Sequence, residues 1–365
     1  MALLGERGSR SEGTTATRTS GLIVLFFCAV VGAHGREMDL VLDLRGEWLF
    51  EIGDRPEWAF LGLDDSRWDR ISVPSAWEDQ GYAGYDGYAW YRKHIRLPRG
   101  AEEKILYLLP GAIDDADEVY VNGRCIGFSG QFPPEYITAY NTVREYLIPP
   151  GLLDPQTDNV IAVRVYDQEL AGGMVHGRPG IYADRSPLRP DFDLTGKWRF
   201  TTGDDPGWSR PSFDDRRWTP VDVPAHWETQ SAKGYDGFAW YRTRFTLPVS
   251  LRGKKLILLL GRIDDNDQTY VNGILVGSTG ADRMGKGRDF SQSAYLELRA
   301  YPLQPGDLKE RGENVLAVRV YDGFLHGGIY DLPVGLIERE RYFDWQKKNR
   351  EEKGGLQEFL KFLFR

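Results

Sequence analysis

Apolar and polar positions alternate along this chain in short runs, and the runs come in two nearly matching series. In Gly46-Glu47-Trp48-Leu49-Phe50, Trp48 and Phe50 share one face at a period of two, as a half-buried strand requires. The same pattern returns at Gly196-Lys197-Trp198-Arg199-Phe200. Trp90 to Leu97 reads as a strand ended by Pro98, and Ile105 to Leu109 is a nearly continuous apolar run, predicting a central, buried strand matched by Leu256 to Leu260. Glu118 to Gly127 predicts a hairpin about Asn122-Gly123, because a two-residue turn wants positive φ at both central positions. Asn272-Gly273 repeats it. In the strand Asn159 to Asp167, Ile161, Val163 and Val165 point one way and Ala162, Arg164 and Tyr166 the other; Asn314 to Asp322 is its counterpart.

The two series lie 150 positions apart from Asp43/Asp193 to Pro98/Pro248, and about half of that window is identical. They diverge over Phe128 to Val143 and Ser278 to Leu298, then realign at an offset of 155. A period this long is a duplicated domain rather than a solenoid unit of roughly 20–50 residues. Many short strands separated by turn signals predict an all-β chain of two β-sandwiches, residues 39–187 and 191–337, each large enough for its own core. The linker Arg185 to Pro190 is short, so the two sandwiches are expected to touch. Residues 338–365 form a charge-dense, helix-permissive tail interrupted at Gly354-Gly355. There Leu356, Phe359, Leu360 and Leu363 form an apolar stripe, which would dock on the sandwich or meet a partner or a membrane surface.

Composition narrows the picture. A net charge of −8 and a pI near 5.4 argue against a general nucleic-acid binder, which should carry a basic surface. Arg7, Arg10 and Arg18 precede an apolar run from Leu22 to Val31 and then Ala33-His34-Gly35, the pattern of a secretory signal over residues 1–35, with an uncleaved anchor as the alternative. Cleavage there would leave Cys125 alone, which excludes an internal disulfide and argues against a Cys/His metal cluster. The expected location is secreted or periplasmic.

Gly-x-Trp-x-Phe, Asp-Asp-x-x-Trp, Val-Pro-x-x-Trp-Glu, Trp-Tyr-Arg and Val-Asn-Gly-x-x-x-Gly occur in this order in both series, within residues 39 to 337. This set resembles the jelly-roll, galactose-binding-like sugar-binding domain of family 2 glycoside hydrolases, the group of β-galactosidase and β-glucuronidase. Ile113 to Gly123 also resembles the accessory domain of sialate O-acetylesterases. The resemblance implies a tandem of ancillary jelly rolls. Retaining glycoside hydrolysis needs two carboxylates about 5 Å apart on a rigid frame, and neither a barrel-length stretch of alternating strands and helices nor an esterase nucleophile motif is found here, so no catalytic residue is assigned.

Sugar binding needs an aromatic platform and polar groups for hydroxyls. Trp77, Glu78, Tyr85, Asp86 and Tyr88 supply both kinds, and Trp227, Glu228, Tyr235 and Asp236 repeat them. Residues shared between copies can equally be shared because the fold needs them; Trp48, Trp68 and Trp90 read as core. Arg92 and Arg164 read as structural charges with Asp114, Asp115 and Asp117 as partners. No cofactor is expected, with structural Ca²⁺ on those three aspartates as the open alternative. His176 and Arg178 are unique to the first Gly-Gly loop, and the second has His326; a lone loop histidine of this kind reads as a surface residue, with a ligand role as the alternative. The expected function is a non-catalytic carbohydrate-binding tandem associated with glycoside hydrolysis. The alternatives are part of a hydrolase or esterase whose catalytic domain lies on another chain, or a protein-binding scaffold.

Overall fold

The computed structural model describes residues 30–31, 36–280 and 294–363. The signal segment therefore lies outside the described residues except Val30–Val31, which pairs antiparallel with Glu37 and Met38. Ahead of one C-terminal helix, the described chain is built of strands joined by turns and short 3-10 segments.

Each half is two facing antiparallel sheets and a two-stranded one, Ala112–Asp114 with Gly173–His176 in the first half and Ile263–Asp264 with Gly328–Ile329 in the second. In the first, a six-stranded sheet runs Asp69–Val73, Gly46–Ile52, Gly87–Ile95, Asn159–Asp167, Ala116–Val121, Arg124–Ser129. Opposite it lie Glu37–Asp43, Gly180–Asp184, Leu106–Leu109 and Tyr146–Ile148. Trp48, Phe50, Tyr91, Ile161, Val163 and Val165 from the first sheet meet Leu106, Leu108, Ile148 and Ile181 from the second in one buried cluster. The second half repeats the order: Thr219–Val223, Gly196–Thr202, Gly237–Thr246, Glu313–Asp322, Asn266–Val271 and Ile274–Thr279 face Phe192–Asp193, Val334–Glu338, Leu256–Leu260 and Ala300–Pro302. All-β sandwich architecture is thus what the period-two pattern predicts. Asn122 and Gly123 both take positive φ, 49° and 83°, at the turn between paired strands.

Several expected contacts are placed differently. Arg92 is fully buried, but its partner is Asp65, with Nε 2.7 Å from the carboxylate. Arg164 pairs with Asp54 at 2.6 Å and Glu118 at 3.0 Å. Asp117 belongs to Arg144, at 2.6 Å, and accepts from the Tyr146 hydroxyl at 2.7 Å. The reason is reach: consecutive strand residues face opposite ways, so Asp117 enters the core while Arg164 lies over the outer face.

The halves touch. The Phe128 and His326 rings stack at 4.2 Å across the seam, and the His326 Nε2 lies 2.9 Å from the Phe128 carbonyl, so this histidine is not a surface residue. Arg36 bridges Glu145 of the first half, at 2.6 Å, and Asp331 of the second. The helix Arg339–Leu363 runs unbroken through Gly354-Gly355. It docks on the second half through Tyr342, in a cluster with Leu188, Ile257, Leu259 and Ile337, and through Trp345, whose indole donates to the Ser186 carbonyl at 3.0 Å. The side chains of its expected apolar stripe lie outside the described residues. No described helix is long and apolar enough to cross a membrane.

Candidate functional site

Three segments of the first half converge at one end of its sandwich: the loop before Gly87–Ile95, the Asp114-Asp115 turn, and the Asp167 to Gly173 loop. Trp77 holds them together from below. It is completely buried, packs against Phe50 at 5.8 Å, and donates its indole N–H to the Tyr85 carbonyl at 3.1 Å. Its ring lies so close to Gly172 that a Cβ there would sit 2.1 Å from it. An aromatic of this size removes roughly 150–250 Å² from water, about 4–6 kcal/mol before ordering costs. Trp77 is therefore a core anchor; with no face exposed it cannot be the sugar platform expected of it. Trp227 stands the same way, fully buried and donating to the Tyr235 carbonyl at 3.2 Å.

Tyr85 is also committed inward. Its hydroxyl donates to the Tyr88 carbonyl at 2.7 Å, as that of Tyr235 does to Phe238 at 2.8 Å. Glu78 accepts from the Gly172 N–H at 3.1 Å, which ties its 3-10 turn to the Gly-Gly loop. Asp86 is exposed. Tyr88 begins a group of rings that the sequence did not single out: it meets Tyr166 at 4.8 Å and Phe132 at 5.5 Å, and Tyr136 meets Tyr166 at 5.5 Å. The Arg164 guanidinium packs on Phe132 at 4.2 Å and on Tyr88 at 4.8 Å. These rings are partly exposed.

Beside the rings lies an acidic cluster. One oxygen each from Asp114, Asp115 and Asp167 fall within 4.8 Å of one another. Asp115 accepts from Thr138 Oγ1 and from the Gln168 N–H at 3.1 Å. Burial works against its charge, but hydrogen bonds from Thr138, Tyr136 and Gln168 hold its carboxyl below the usual range. Asp167 is pushed up to about 7, first by burial and then by the carboxylates of Asp115, Asp114, Glu78 and Asp86. Asp114 rises to about 6 through burial and its neighbour Asp115. Glu78, Asp86 and Tyr88 thus reach this rim as expected residues, joined by Phe132, Tyr136, Tyr166, Asp114, Asp115 and Asp167. The repeat of Asp167 as Asp322, each closing a strand, was the available signal.

The second half keeps the frame with different chemistry. Phe238 replaces Tyr88 and meets Tyr321 at 4.8 Å under Arg319. Glu228 accepts from the Gly327 N–H at 3.2 Å, and burial pushes it up to about 9. Asp236 is exposed. Asp264, Asp265 and Asp322 form the matching acidic group.

Sandwich fold, repeated motifs and this rim together define an all-β chain related to family 2 glycoside hydrolases. Residues 53–171 and 203–323 match the family described as the β-galactosidase second all-β domain, and the chain belongs to that family. A Formosa agariphila protein named for β-glucuronidase is 28% identical over 189 residues, covering 48% of this chain. A β-galactosidase of Bacteroides ovatus is 26% identical over 152 residues, covering 38%. The matched region is 17% of the length of each relative. Among solved structures, β-glucuronidase 2 of Bacteroides uniformis is similar at 18% identity and a TM-score of 0.36, covering 82% of this chain and 29% of that one.

Proposed function

We propose that the chain is a non-catalytic carbohydrate-binding module that serves extracytoplasmic glycoside hydrolysis. On this reading it is a tandem of two galactose-binding-like jelly rolls, with the N-terminal basic and apolar stretch acting as its export signal. The observation that carries the proposal is the rim of the first half, where the partly exposed rings of Tyr88, Phe132, Tyr136 and Tyr166 adjoin the carboxylates of Glu78 and Asp86. A ring face takes the apolar face of a pyranose, and carboxylates accept from its hydroxyls. So many acidic groups at one rim favour a neutral sugar, a galactoside over a glucuronide.

Membership in a β-galactosidase accessory-domain family supports the substrate class. The test is a glycan array probed with the full chain. Selective retention of galactose-bearing glycans, lost with Tyr88→Ala and Phe132→Ala, is expected; uniform silence from folded protein would refute it.

A second reading is favoured by the relatives' lengths. They are named as hydrolases, and the match spans 17% of each; on this reading the chain is one part of a hydrolase. Hydrolysis of nitrophenyl galactosides or glucuronides only when a catalytic chain is added back would support that reading.

A further inference from the structure

The acidic group of the first half is not balanced the way its copy is. In the second half, Asp322 Oδ1 accepts from the Phe324 N–H at 2.9 Å and Asp265 accepts from the Gly323 N–H at 3.1 Å, so the turn supplies donors to two of the three carboxylates. In the first half the turn donates once, from Gln168 to Asp115. Asp167 is 0% exposed, and neither of its carboxylate oxygens has a hydrogen-bond partner.

Nor does a direct ion pair compensate; Arg144 acts on Asp114 only at a distance. Among the described residues no salt bridge reaches Asp114, Asp115 or Asp167. The nearby Arg144 is spent on the Asp117 carboxylate and on the carbonyls of Ala139, Thr142 and Asp115. Buried polar groups are normally satisfied, and a buried charge is paired or coordinates a metal. Three carboxylates from two segments, converging within 4.8 Å with one of them orphaned, are a ready oxygen-donor set. With no imidazole or thiolate in the cluster, its chemistry is that of a hard cation.

We propose that Asp114, Asp115 and Asp167 bind a hard divalent cation, Ca²⁺ or Mg²⁺, at the rim of the first half. The ion would join the end of the Ala112–Asp114 strand to the end of Asn159–Asp167, leading into the Gly-Gly loop, with water filling its remaining positions. Through Asp115 it would also brace Thr138 and the loop that carries Tyr136. The site stands whether or not the rim takes a sugar. It differs from the expected set in its third ligand, Asp167 in place of Asp117, whose carboxylate is filled by Arg144 and Tyr146.

The test uses the full chain, stripped with chelator and dialysed. It is titrated calorimetrically with CaCl₂ and MgCl₂ and melted in chelator, Ca²⁺, Mg²⁺, or NaCl at matched ionic strength. Saturable binding of Ca²⁺, Mg²⁺ or both is expected, with a rise in melting temperature beyond the NaCl control, because a ligand bound only by the folded state stabilises it. The relative response to the two ions identifies the cation. Asp167→Asn should abolish binding and the thermal response while melting in chelator at pH 8, above the value of about 7 to which Asp167 is raised, at or above the parent, since there it removes an uncompensated buried charge; that gain separates ligand loss from misfolding. Asp322→Asn should leave the response intact. No rise beyond the NaCl control, or a full response retained in folded Asp167→Asn, would overturn the assignment.

Discussion

Trp77 and Tyr88 lie eleven positions apart and play opposite parts. The sequence offers both as loop aromatics, and composition alone cannot separate them; what separates them is the close approach of Gly172 to Trp77, a contact between segments 95 residues apart. Trp77→Ala should therefore cost about 3–5 kcal/mol in urea unfolding, the range for emptying a core aromatic. Tyr88→Ala should cost less, about 1–3 kcal/mol, the scale of the two ring contacts that its half-buried ring makes with Tyr166 and Phe132. Glu228 gives a pH signature. Its folded value, about 9, stands above the ordinary carboxyl value of 4.5. It therefore contributes stability that is fully present below pH 4.5 and lost as pH rises toward 9. Glu228→Gln should flatten that decline in a stability-versus-pH series; an unchanged slope would remove Glu228 as its source.

At the scale of elements, strands and turns were legible because their signals are local. Period-two alternation marks Gly46–Ile52 and Asn159–Asp167, and Asn122-Gly123 sets its own turn. The strand expected from Trp90 begins at Gly87 instead, because cross-strand pairing with Asp167 extends it into the loop. The acidic site was half legible. Asp114 and Asp115 announce themselves as a pair, but their third member comes from a strand end 52 residues further on, and only sheet pairing brings it there. The helix continues through Gly354-Gly355 although each glycine costs about 1 kcal/mol relative to alanine, because that local preference is weak. The close approach of loop and core has its own test. Gly172 needs no unusual φ, so Gly172→Ala is a purely steric change, expected to lose about 1–3 kcal/mol as overpacking does. Wild-type stability would show that the loop can move aside.

Across the whole molecule, the seam between the halves concentrates its histidines. The His226 ring stacks on Tyr330 at 4.8 Å and meets His326 at 5.1 Å, while His326 stacks on Phe128. Burial, and then the neighbouring His326, lowers His226 to about 3 from an ordinary 6.5; burial lowers His326 as well. A histidine whose folded value is depressed contributes stability that is present above pH 6.5 and lost as pH falls toward 3. Urea midpoints should fall steadily across that window, and His226→Phe should reduce the fall; equal slopes in parent and variant would place the acid sensitivity elsewhere. The short linker announced that the halves touch, but the residues of the seam were not legible, because they depend on how two similar halves meet rather than on the pattern within either.

The central claim is that the first half carries a carbohydrate face made of rings above a fixed core. Its most direct test is calorimetric titration of the full chain with a galactose-terminated oligosaccharide, set beside Tyr88→Ala and Phe238→Ala. Saturable binding that weakens at least about tenfold in Tyr88→Ala, some 1.4 kcal/mol, and persists in Phe238→Ala is the predicted result. Binding that survives Tyr88→Ala but is lost in Phe238→Ala, or no heat at all from folded protein, would contradict it.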